Sequence, residues 1–150
     1  MYIVTALDGL YMENQAATCS LETARKLFTA WAEKWNMHVE SEEGRCAFGD
    51  KEVFIEDIFL ARASNIVLVV THKYPECCSI EAYTYPDLAL RKYLKTLEHI
   101  FKNESDVDNE GNDFIDAIIE IMDAYKMGVS FNDSVWFYNT SVTFRTLRVV

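Results

Sequence analysis

Five consecutive apolar residues, Ile66-Val67-Leu68-Val69-Val70, followed by Thr71, stand near the middle of this chain. All but Leu68 are β-branched. A strand with one wet face alternates polar and apolar residues, and this run does not, so it reads as a central strand buried on both faces. At five residues it is far below the roughly 20 that a membrane-spanning helix needs. Such a strand requires neighbouring strands and covering layers.

The flanking sequence supplies both. Residues 2–7 (Tyr-Ile-Val-Thr-Ala-Leu) read as a first strand, and a loop follows through Asn14 and Thr18. Ser20 is then a suitable N-cap with Glu22 in the first turn. Leu21, Ala24, Leu27, Phe28, Trp31, Ala32 and Trp35 recur at spacings of three and four, which predicts a helix ending near Asn36. Val53 to Ala61 and Ser79 to Tyr85 read as further strands. Pro86-Asp87 opens a second helix with Leu90, Tyr93, Leu94, Leu97, Ile100 and Phe101 as its buried stripe. A third helix is predicted from about Asp113 to Tyr125, and Val135–Asn139 with Val142–Val149 read as a closing hairpin. The expected class is α+β, a mainly antiparallel sheet covered by two or three helices, in the order β-α-β-β-β-β-α-α-β-β. No internal repeat and no flexible linker stand out. The chain reads as one domain, with 1–102 as the core and 103–150 as an acidic loop, helix and hairpin.

Composition limits the function. Nine Phe, eight Tyr and three Trp in 150 residues are enough aromatics for a packed core and argue against disorder. Fourteen Lys and Arg against twenty-four Asp and Glu give a net charge of −10, the wrong sign for binding nucleic acid or an anionic membrane. The start, Met1-Tyr2-Ile3-Val4-Thr5-Ala6, carries no basic leader, and Cys19, Cys46, Cys77 and Cys78 follow no disulfide spacing. The expectation is a cytoplasmic, reduced protein, in which the Asn-x-Ser/Thr matches at Asn103, Asn132 and Asn139 go unused.

Glu104 to Asp123 holds eight acids and no Lys or Arg. Within it, Asp106-Val-Asp108-Asn-Glu110-Gly111 partly follows a calcium-binding helix–loop–helix pattern, with carboxylates at positions 1, 3 and 5 and a turn glycine. The bidentate glutamate of position 12 is replaced by Ala117, however. A solvated loop capped by Asn112, with Asp113 and Asp116 at the positive end of the third helix, explains the same residues without a metal. His72, Cys77 and Cys78 match no standard zinc spacing, and only Cys46 brought near by the fold would complete four ligands. A Cys–His nucleophile pair depends on geometry that spacing does not supply. No metal and no cofactor are therefore expected. Trp136-Phe137-Tyr138 must point to both faces of a strand, which fits either a two-sided central strand or an edge that binds a partner or a second copy.

The segment His72-Lys73-Tyr74-Pro75-Glu76, then Ile80-Glu81-Ala82-Tyr83-Thr84 ahead of a helix, resembles the bacterial-type S-adenosylmethionine decarboxylases. Those proteins carry His-Thr-Trp-Pro-Glu and a Val-Asp-Val-Phe-Thr-Cys-Gly strand, and the element order agrees over residues 1–102. The resemblance implies a scaffold on which a Glu-Ser-His turn cuts itself and the serine becomes a pyruvoyl electron sink. The matching turn is Ala63-Ser64-Asn65, which keeps Ser64 but not the flanking Glu and His. Tyr85 and Pro86 stand where the family has its Cys and Gly. What the resemblance implies is thus a scaffold that has lost the pyruvoyl route.

Two functions follow as expectations. The first is an acidic protein-binding or inhibitory module, of the immunity-protein or phage anti-host type. It would meet a basic protein partner through Asp106, Asp108, Glu110, Asp113 and Asp116, with Trp136 and Tyr138 beside them. The second is a small lyase, or a ligand-binding relative, acting on S-adenosylmethionine or a related amine. There Ser64 would be the pyruvoyl precursor, or Glu56, Glu76 and Glu81 would contact the cationic substrate.

Overall fold

The computed structural model describes residues 1–39, 44–60, 62–103, 119–120, 122–123, 132–137 and 139–150. The chain divides into two compact units, Met1–Asn65 with Leu147–Val150, and Ile66–Thr146. The class is α+β, with two four-stranded sheets rather than one.

In the first unit, β1 (Tyr2–Asp8) and β2 (Tyr11–Thr18) form a hairpin, α1 (Leu21–Lys34) follows, and β3 (Arg45–Phe48) with β4 (Lys51–Asp57) forms a second hairpin. The sheet order is β2-β1-β4-β3, antiparallel at every junction. Gly9 and Gly49 occupy the left-handed region at φ 58° and 63°, where a side chain would strain these tight turns. Ala24, Phe28 and Ala32, one helical turn apart, bury against Val4 and Ala6 of β1 and Val53 of β4. The Ser20 hydroxyl caps α1 by accepting from the Thr23 amide at 3.2 Å, and Asn36 at φ 56° turns the chain out of it.

β2 is a strand where the sequence reads as a loop. Glu13, Asn14, Gln15 and Ala16 have low strand propensity, but seven register pairs to β1, from Tyr2–Thr18 to Asp8–Tyr11, override it. Gln15 is buried in that pairing and donates from Nε2 to the Thr5 hydroxyl at 3.1 Å.

In the second unit, β5 (Asn65–Lys73) and β6 (Cys77–Tyr83) form a hairpin followed by α2 (Pro86–Asn103), and β7 (Asn132–Phe137) with β8 (Thr140–Arg148) closes it. The sheet order is β6-β5-β8-β7. Ile66 to Val70 are all at most 4% exposed, so this continuous apolar run is an inner strand buried on both faces. Ala89, Leu90, Tyr93 and Leu97 of α2 pack on Val67, Val69, Val142 and Phe144. The Tyr93 and Phe144 rings meet edge-on at 5.5 Å. Of the predicted third helix, residues 119–120 and 122–123 are described and helical, and Met122 packs on this core.

Both units therefore share one strand path, a hairpin before and a hairpin after helical sequence, with spatial order second-first-fourth-third. No sequence period announces this repeat.

Candidate functional site

Ser64 lies on the connection between β4 and β5 and lines an open depression of about 640 Å³, together with Thr18, Cys19, Ser20, Thr23, Arg62, Ala63 and Val150. The first turn of α1 contributes part of the wall, because Thr18 ends β2 and Ser20 caps the helix. The Ser64 backbone is tied down, its carbonyl accepting from the Val149 amide at 2.9 Å. Chemically the depression offers hydroxyls, a thiol, the positive end of a helix and the Arg62 guanidinium. That set suits a carboxylate or other anion better than a sulfonium cation.

The three glutamates considered with Ser64 have separate roles. Glu56 sits on β4 opposite Ile3, where burial pushes its carboxyl above the usual range while the Arg45 charge works against the shift. Glu76 is exposed in the turn after β5 and pairs with Lys73 at 2.9 Å. Glu81 on β6 accepts from Lys92 of α2 at 2.7 Å and from the Tyr83 hydroxyl at 2.8 Å. Burial pushes the Glu81 carboxyl up, but these two hydrogen bonds and the Lys92 charge outweigh it and hold it below the usual range. For Tyr83, burial together with the adjoining Glu81 carboxylate pushes the phenol up to about 12. Ser64 and Glu56 belong to the first unit, Glu76 and Glu81 to the second.

Of the residues assigned to partner binding, Trp136 is described. It lies on β7 across from Ser141 and is 43% exposed, while its neighbour Val135 packs into the α2 core. Asp106, Asp108, Glu110, Asp113, Asp116 and Tyr138 lie outside the described residues, as does the whole 106–117 loop weighed as a calcium site.

Among the described residues no three His, Cys, Asp or Glu side chains gather to hold a metal ion. Cys46 belongs to the first unit, where its thiol donates to the Met37 sulfur at 3.6 Å. His72, Cys77 and Cys78 belong to the second, and the β5–β6 register sets His72 opposite Cys78 and Lys73 opposite Cys77. The Glu81–Tyr83–Lys92 cluster escapes a reading of the sequence. Its two-residue spacing places Glu81 and Tyr83 on one strand face, but only the packing of α2 on β6 supplies Lys92. No described helix is long and apolar enough to cross a membrane. Comparison with known protein families, curated proteins and solved structures finds no match to this chain.

Proposed function

We propose that the protein is an acidic binding module that recognises and inhibits a basic protein partner. The observation that carries this reading is the concentration of eight carboxylates, without one Lys or Arg, between Glu104 and Asp123. Trp136, exposed on β7 of the same unit, adds the kind of aromatic anchor that binding surfaces use. Clustered negative charge speeds encounter with a basic surface and disfavours acidic competitors. The test is affinity capture with the wild-type chain beside a variant carrying D106N, D108N, E110Q, D113N and D116N, followed by direct titration of any basic protein recovered. Stoichiometric binding that the neutralised variant loses, and that W136A weakens by roughly tenfold or more, is the expected result. A partner held equally by all three chains would refute the assignment.

A second reading has one observation behind it: Ser64 lines a depression large enough for a small ligand. A lyase or binder of S-adenosylmethionine would use Arg62 for the substrate carboxylate, although the same cation opposes the sulfonium. Intact-mass measurement detects the cut at Ala63–Ser64 that a pyruvoyl group requires. Calorimetry with S-adenosylmethionine tests the uncut form, and absence of heat at millimolar ligand would remove it.

A further inference from the structure

We infer that Cys78 is a reactive thiol, activated by His72 across the β5–β6 ladder, and a site of modification by low-molecular-weight disulfides and other soft electrophiles. His72 and Cys78 are directly opposed in the antiparallel register. Residues so placed have Cβ atoms about 4.5–5.5 Å apart on one sheet face, within reach of an imidazole and a thiol. Val67 and Val69 face α2, so strand alternation assigns His72 and Cys78 to the other face.

Burial divides the two roles. His72 is 7% exposed and therefore held in place, whereas Cys78 is half-buried and lies on β6, an outermost strand of its sheet. A small reagent reaches the sulfur from that edge. The remaining cysteines differ in what stands beside them. Cys77 is exposed but faces the opposite way, across from Lys73, whose ammonium is paired with Glu76 at 2.9 Å. Cys46 donates to Met37, and Cys19 is exposed beside the α1 cap. Cys78 is the cysteine with a histidine opposite it in the described ladders.

The exchange needs one disulfide as co-reactant. His72 accepts the thiol proton as the Cys78 sulfur attacks one sulfur of the reagent. A new S–S bond joins Cys78 to that half while the reagent's own S–S bond breaks. The other half departs as a thiolate and takes the proton from the imidazolium. Cys78 is oxidised to a mixed disulfide and the released half is reduced.

Site-resolved labelling of the full chain tests this, with limiting iodoacetamide or oxidised glutathione as the probe and peptide mass spectrometry as the readout. Exposure alone ranks Cys19 and Cys77 ahead of Cys78. The pairing reverses that order, with Cys78 modified roughly tenfold faster than Cys77. H72N and H72Q bring Cys78 down to the Cys77 rate or below, with Cys19 and Cys77 unchanged. Labelling of the wild-type chain that follows exposure overturns the inference without any variant. So does a Cys78 that stays fast in either histidine variant once circular dichroism shows that variant folded.

Discussion

Tyr83 and Glu81 stand two residues apart on β6 and share a face, and Lys92 completes the group from α2. The Tyr83 phenol is raised from 10.0 to about 12 by burial and by the neighbouring carboxylate. A group whose folded value is raised stabilises the fold below its unfolded value and loses that contribution as pH rises through the folded one. The window for Tyr83 therefore runs from about pH 10 to about pH 12. In a tyrosinate absorbance titration, Y83F is expected to remove one late-titrating phenol from the wild-type profile. In E81Q that phenol moves back toward its ordinary value. Glu81 has the opposite sign, since its contribution is present above the ordinary carboxylate value and fades as pH falls through its depressed one. Its side chain is 42% exposed, so screening keeps the Lys92 pair near or below about 1 kcal/mol. Glu56 is raised, so its ionised form costs stability at neutral pH. E56Q is expected to melt no lower than wild type at neutral pH, with the difference closing in acid as the native carboxyl protonates.

At the scale of elements, α1 depends on its cap and on one aromatic. Removing the Ser20 hydroxyl leaves the Thr23 amide without its acceptor, so S20A should cost about 1 kcal/mol in chemical denaturation. Phe28 is 2% exposed at the centre of the first unit's core, and F28A should cost about 3–5 kcal/mol. A cost below about 1 kcal/mol would mean that α1 does not pack as described. F144A should act comparably in the second unit, because Phe144 loses both its edge contact with Tyr93 and its burial. The outer strand β3 is only four residues long and carries Arg45, which pairs with Glu52 at 2.6 Å and lies over the Phe54 ring at 4.9 Å. A short, charged outer strand is a poor template for another chain.

For the whole molecule, the −10 charge matters more for encounter than for folding. Under the proposed function, association with the basic partner should slow by roughly tenfold or more between low salt and about 0.5 M salt, read by stopped-flow, as screening shortens the reach of the acidic segment. A salt-independent rate would place recognition elsewhere. Much of this architecture is legible in the chain itself. The three-and-four spacing from Leu21 to Trp35, Pro86 at the start of α2 and the Ile66–Val70 run each announce an element, because helix and strand periods are local and survive without neighbours. The acidic segment is equally a property of sequence. The rest depends on pairing between distant residues. Pairing with β1 makes a strand of the polar Tyr11–Thr18 segment, and no linker marks the junction between Asn65 and Ile66. The repeated path of the two units appears in strand order alone. Only the ladder register sets His72 against Cys78, since a one-residue slip would turn one of them to the other face. The sequence by itself thus determined which segments are helix or inner strand and where negative charge gathers. Which side chains meet was decided by the tertiary structure, because contacts between distant segments follow from register and packing rather than local period.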